Sequence, residues 1–163
     1  MHVSEDDSFA RTDVWREGKW LDLWSVVHFL TGISVGLGFA FLRFDPLAAS
    51  LLALVSLIAY EMWEHIVGID ETPTNRFMDV VVGMTSFLPT FFLAAPSLSR
   101  GVLVFAFLGV LAIDIQLSVF GWRASQKAAV LERRMKERYA KEKVWLRERR
   151  ETLREKFNKQ HAK

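Results

Sequence analysis

Glu61, Glu64 and His65 stand close together near the end of an apolar run that begins at Leu47. An ionisable side chain inside such a run costs about 2.5–3.5 kcal/mol on membrane-insertion scales, so it persists where it faces a protein interior or a wet cavity. Carboxylates beside an imidazole can coordinate a metal ion, pass protons, act as acid and base on a lipid headgroup, or neutralise one another. Their spacing places Glu61 and His65 on one face of a helix, with Glu64 one step round.

Polar residues of the same kind recur in the other apolar segments. His28 lies in the first segment, Asp79 begins the third, and Asp114 lies inside the fourth. Because segments joined by short linkers run antiparallel, these residues fall in the same half of a bundle. The sequence therefore predicts a cytoplasm-facing polar pocket, which on one interpretation binds a metal. Its predicted members are His28, Glu61, Glu64, His65 and Asp79, with Asn75, Arg76 and Asp114 as secondary members.

Four apolar segments position these residues, at about residues 23–42, 47–67, 77–95 and 101–122. Each is close to the roughly 20 residues that a helix needs to cross a hydrocarbon core about 30 Å thick. The predicted fold is all-α: a four-transmembrane-helix bundle over residues 23–122, followed by a long basic C-terminal cytoplasmic helix over residues 123–163. A cap for the third helix is predicted at Thr74 or Asn75.

Charge is divided unevenly along the chain. Residues 123–163 hold 15 Lys and Arg against 6 Asp and Glu, whereas residues 1–122 have a net charge of −7. Positive residues collect on the cytoplasmic side of membranes, so the tail and, with four spans, the N-terminus are predicted to be cytoplasmic. Residues 1–22 are acid-rich and Trp-bearing, which is typical of an interfacial segment rather than a signal peptide. The absence of cysteine excludes disulfides and thiolate metal sites.

The basic tail has the composition of a long helix, with no Gly or Pro after Gly121. Three interpretations stay open for it: contact with anionic lipids, docking on another membrane-protein subunit, or self-association. A long helix that is polar on all sides rarely holds without support, which favours a protein partner or self-association. Nucleic acid is not favoured, because six acidic residues dilute the charge. The predicted partner-binding residues are Trp145, Leu146, Leu153 and Phe157.

Short motifs over residues 24–95 resemble those of small bacterial integral membrane proteins of the VanZ-like and YjdF-like type. They are His28-x-x-x-Gly32, Tyr60-Glu61-x-x-Glu64-His65 and Asn75-x-x-x-Asp79-Val80-x-x-Gly83. The resemblance implies a multi-helix protein of the cell envelope. With the charge asymmetry, it indicates a multi-pass protein of the bacterial inner (plasma) membrane.

Two functions are compatible with these features. The favoured one is a non-catalytic integral membrane subunit that packs into a larger complex through its spans and tail, because 163 residues without a recognisable nucleophile make a sparse enzyme. The alternative is a membrane protein whose His/Glu/Asp pocket is metal-dependent or binds or acts on lipid headgroups. Without thiolates, a divalent Zn, Mn, Fe or Mg ion would suit that pocket. No catalytic residue is assigned.

Overall fold

Four long helices make up most of the structure, a computed structural model that describes residues 2–3, 9–10, 15, 20–66 and 72–161. Side chains are described for residue 15 and for residues 20–66 and 72–154. The first to fourth helices are Leu23–Phe41, Pro46–Ile66, Pro73–Ser97 and Arg100–His161. The prediction of a helical fold with four helices long and apolar enough to cross a membrane is confirmed for residues 20–66 and 72–161. Outside the helices, His2–Val3 pairs antiparallel with Phe9–Ala10.

The first helix begins where a polar side chain satisfies its free backbone N–H groups. Oδ1 of Asp22 accepts from the N–H groups of Trp24 and Ser25, at 2.7 and 3.2 Å. In return, the hydroxyl oxygen of Ser25 accepts from the N–H of Asp22 at 3.3 Å. This reciprocal capping box fixes the first turn of the helix, which directly precedes His28.

The third helix begins at Pro73, ahead of the predicted start of the apolar segment at residue 77. Its cap is Thr72, whose side chain accepts from the N–H of Asn75, so the prediction of Thr74 or Asn75 as the cap is wrong. Proline suits the first helical position because its missing N–H would be unpaired there anyway. Near its other end the helix passes Pro89 and widens into a π-helical segment, Thr90–Ala94. Proline has no backbone N–H to donate, so the regular α-helical hydrogen-bond pattern is interrupted at Pro89, and the π-helical segment follows directly after it.

The first and third helices approach each other most closely at two glycines. A Cβ atom on Gly32 would overlap the carbonyl oxygen of Gly83 and the hydroxyl of Ser86. Small residues at such positions let two helix backbones pack directly against each other. Gly32 lies one turn after His28, and Gly83 lies one turn after Asp79. The contact between the two glycines therefore sets the distance between the His28 and Asp79 side chains.

Two apolar clusters hold the remaining helices against this pair. Ala49 and Ala53 of the second helix pack on Phe87 and Phe91 of the third. Leu37 of the first helix packs with Ala95 and with Leu103 of the fourth. The fourth helix is the least enclosed by the others. Of its apolar 18-residue stretch, 11% is buried, compared with 39% for the first helix.

The chain divides into two compact units. The unit Val14–Ser125 contains the first three helices and the beginning of the fourth. The other unit consists of Met1–Asp13 and Gln126–Lys163, and its part of the fourth helix carries most of the basic tail. The candidate functional site lies wholly within the unit Val14–Ser125.

Candidate functional site

His28 is held in one orientation by its own helix. Its Nδ1 lies 3.1 Å from the carbonyl oxygen of Trp24, one turn earlier. A carbonyl only accepts, so Nδ1 carries the proton in this contact and Nε2 of the neutral ring keeps a free lone pair. The ring of Tyr60 packs edge-on against the imidazole, with 5.5 Å between centroids. Metal-ligating histidines commonly donate one ring N–H to a backbone carbonyl in this way and direct the other nitrogen at the ion.

Glu61 of the second helix lies directly opposite that free nitrogen. Its Oε1 is 2.9 Å from His28 Nε2, and both side chains are buried. The two atoms do not have the alignment of an N–H···O hydrogen bond, and neither oxygen of Glu61 accepts a hydrogen bond from the described residues. Two ligands bound at about 2.1 Å to one ion stand about 3 Å apart when they meet at a right angle. The separation is that of a direct ion pair, and it is also compatible with two ligands that meet on one ion.

Asp79 of the third helix is the most firmly held of the acids. The Ser25 hydroxyl donates to its Oδ1 at 2.6 Å, and the Asn75 amide donates to its Oδ2 at 3.2 Å. The same amide nitrogen lies 3.1 Å from Oδ2 of Asp22, which links the starts of the first and third helices. Asp79 is 1% exposed, and its Oδ1 lies 4.0 Å from His28 Nδ1. Each carboxylate oxygen has a second lone pair that these donors leave available.

These three residues come together from three different helices. One ligand atom from each of His28, Glu61 and Asp79 lies within 4.8 Å of the other two, and all three residues are buried. With a neutral imidazole the trio carries two negative charges, and buried charges need a compensating partner. A divalent cation would balance them. Imidazole nitrogen and carboxylate oxygens suit Zn²⁺, Mn²⁺, Fe²⁺ or Mg²⁺, and an ion with three protein ligands keeps positions open for water or a substrate oxygen.

The other two predicted pocket residues lie outside this trio. Glu64 is half-buried and shares a side-chain hydrogen bond with Tyr60. His65 is exposed and, with Glu61 and Arg76, lines a second cavity of about 270 Å³. Four residues advance a helix by about 6 Å and turn it about 40° past a full turn. That displacement carries His65 from the enclosed trio towards the end of the helix.

Of the three predicted secondary residues, one contacts the trio and two lie apart from it. Asn75 belongs to the hydrogen-bond network of Asp79, whereas Arg76 is half-buried beside the second cavity. Asp114 is buried on the fourth helix and accepts a hydrogen bond from Thr31 at 3.0 Å through its Oδ2. Its Oδ1 has no hydrogen-bond partner among the described residues. Asp114 thus forms a separate polar contact and is not a member of the trio.

Sequence reasoning missed Ser25, Thr31 and Tyr60 as contributors. Ser25 and Thr31 lie three residues on either side of His28 and therefore share its helix face. That spacing was the available signal, since a hydroxyl one turn from a buried histidine is placed to contact whatever the histidine contacts. The role of Tyr60 depends on how the second helix is rotated, which its own sequence does not fix.

Of the predicted partner-binding residues in the tail, Trp145, Leu146 and Leu153 are exposed. The guanidinium of Arg149 lies over the Trp145 ring, 5.1 Å from its centroid. The side chain of Phe157 and residues 67–71 of the second linker lie outside the described part of the chain.

No family model, curated protein or solved structure matches this chain. Its function is therefore inferred from the geometry of the trio and its surroundings.

Proposed function

We propose that this chain is a multi-pass membrane protein that binds a divalent metal ion through His28, Glu61 and Asp79. One observation carries the proposal: His28, Glu61 and Asp79 are all buried, and one potential ligand atom of each lies within 4.8 Å of the other two. The contact between His28 Nδ1 and the Trp24 carbonyl supports it, because it leaves Nε2 as the coordinating nitrogen.

A purely structural network, with an ion pair between His28 and Glu61, is the competing explanation, and among the described residues it supplies hydrogen-bond donors only to Asp79. Asp79 receives hydrogen bonds from Ser25 and Asn75. Glu61 receives none from the described residues, although it is 5% exposed. A buried polar group without a partner costs about 1–3 kcal/mol, and a charged one costs more. A divalent cation bound by Glu61 and His28 would satisfy the Glu61 carboxylate more fully than the ion pair alone does.

Elemental analysis of the purified full-length protein tests the proposal. We expect close to one bound ion per chain after incubation with Zn²⁺, Mn²⁺, Fe²⁺ or Mg²⁺ and removal of free metal. Glu61→Gln and Asp79→Asn should lose the ion, because an amide is a poor substitute for a charged ligand in a buried site. Glu64→Gln and His65→Ala are matched controls on the same helix and should keep it.

Two results would refute metal binding at this site. One is a parent protein that retains none of the four metals. The other is a Glu61→Gln variant that retains as much metal as the parent, which would place any bound ion elsewhere.

The same proposal includes a location, the bacterial inner membrane with both termini in the cytoplasm. Four helices of sufficient length and apolarity support membrane insertion. The excess of Lys and Arg after residue 122 supports a cytoplasmic tail. Protease added to inside-out vesicles should then remove the tail; a fully protected tail would reverse the orientation.

A second candidate function is a non-catalytic subunit of a larger membrane complex. The exposed apolar surface of the fourth helix favours it, since Phe105 and Phe120 remain 79% and 64% exposed. Lipid, another subunit or a second copy of this chain would each cover that surface. Subunit membership predicts a mass above that of one chain after gentle solubilisation, whereas a partnerless monomer would exclude it.

A further inference from the structure

A cavity of about 280 Å³ lies beside His28, between the first three helices, with Ser118 contributing from the fourth. Along the first helix its walls extend from Val27 to Val35, and along the second from Tyr60 back to Ala53. Seven to eight residues of helix correspond to about 12 Å. The cavity is therefore elongated along the helix axes, with His28 and Tyr60 at one end and Val35 and Ala53 at the other.

The hydrocarbon character of the cavity follows from its side chains. The apolar walls are formed by Val27, Gly32, Val35, Ala53, Leu57 and Phe87. Three residues with hydroxyl groups on short side chains also line it: Ser56 is exposed, and the hydroxyls of Thr31 and Ser118 are hydrogen-bonded elsewhere. Thr31 donates to the carboxylate of Asp114, and Ser118 donates to the Asp114 backbone carbonyl.

The two polar residues at the end of the cavity contact partners outside it. The nitrogens of His28 face the Trp24 carbonyl and Glu61. Tyr60 shares its hydrogen bond with Glu64. A buried water needs two to four polar partners, and an apolar cavity stays dry or takes an apolar ligand. This arrangement therefore disfavours a water-filled proton path through the cavity and favours a hydrocarbon occupant.

We propose that the cavity binds one hydrocarbon chain of a bilayer lipid, with the polar end of that chain at His28 and Glu61. The elongated apolar shape fits a chain. His28 is the one member of the trio that lines the cavity, at one end of it, and Glu61 contacts His28 there. The placement of an anionic headgroup at that end rests on the proposed function, because a bound metal ion would offset the charges of Glu61 and Asp79 and offer open positions to phosphate oxygens. Binding of the chain itself rests only on the cavity.

The test uses full-length protein in nanodiscs that contain phosphatidylglycerol with a photoreactive diazirine in one acyl chain. After irradiation, the labelled peptides are mapped by mass spectrometry. Label is expected inside the cavity, at Val35 or Leu57, in addition to the label on lipid-facing positions such as Phe105.

Ser56→Phe is the informative variant, because Ser56 lines the cavity but is itself exposed, so the larger side chain enters without disturbing the buried core. It should reduce cavity labelling by about tenfold, because displacing about two methylene groups of the bound chain from the cavity lowers its affinity by about that factor. Val55→Phe is the matched control, since Val55 is the neighbouring residue and is 59% exposed outside the cavity. Labelling of Phe105 should be unchanged in both variants.

The outcomes separate this inference from the proposed metal site. Label confined to lipid-facing residues, or equal cavity labelling in Ser56→Phe and Val55→Phe, would overturn the inference even if the parent holds metal. Cavity labelling that Ser56→Phe removes supports chain binding even if the parent holds no metal. If Glu61→Gln loses metal and also shifts label away from the end nearest His28, the headgroup placement is supported; an unchanged pattern would overturn that placement.

Discussion

Replacing Gly32 with alanine should separate the first and third helices and weaken the proposed metal site at the same time. A Cβ at this position would overlap the Gly83 carbonyl oxygen and the Ser86 hydroxyl. The serine can rotate away, but the carbonyl belongs to the backbone of the facing helix and cannot. Relief therefore requires the helices to move apart, one turn from His28 and Asp79.

The expected loss of folding free energy is large because the Gly83 backbone, which the new Cβ would meet, is rigid. Overpacking a well-packed contact costs about 1–3 kcal/mol, and contact with backbone belongs at the upper end of that range. A loss of about 2 kcal/mol corresponds to a change of about thirtyfold in the folding equilibrium. Metal affinity should fall as well, because disturbing the groups that orient metal ligands costs about 10–100-fold.

Unfolding in mixed micelles with increasing SDS, followed by far-UV circular dichroism, measures the stability loss, and metal titration measures the affinity. Gly109→Ala is the matched control, because a Cβ there meets nothing within 4 Å. It should change stability by less than about 0.5 kcal/mol, or improve it slightly through helix propensity. Equal stabilities and equal metal affinities for the two alanine variants would refute the argument that glycine is required for this helix contact.

The helices could be predicted from the sequence because their signal is local. Long apolar runs interrupted by Pro46 and by polar linkers indicate helices of membrane length without any knowledge of packing. Helix ends were predicted less well. Thr72 starts the third helix through a hydrogen bond, and Pro73 does so through its fixed backbone angle. Neither effect changes the apolarity of the segment, so a search for apolar runs does not detect this helix start.

The membership of the site depended on helix rotation, which hydropathy does not fix. His28, Glu61 and Asp79 were predicted as neighbours from their common depth, and the structure brings them together. The prediction includes His65 because it shares a face with Glu61, but His65 lies one turn further on, next to the end of the helix, and is exposed. Only the packed arrangement of three helices distinguishes the two positions.

Two further perturbations test the surroundings of the site. Replacing Trp145 and Leu146 with serine should reduce the mass of the gently solubilised particle if the tail holds a partner, since aromatic anchors dominate such contacts and both side chains are exposed; an unchanged mass would remove the tail from the interface. Thr31→Val should destabilise the protein by about 1–3 kcal/mol, because it leaves the buried Asp114 carboxylate without its 3.0 Å hydrogen bond. In an Asp114→Ala background the same Thr31 substitution should cost less, by about 1 kcal/mol, because no acceptor is then left unpaired. Equal costs in the two backgrounds, measured by the same SDS unfolding assay, would show that the hydrogen bond between these helices contributes nothing to stability.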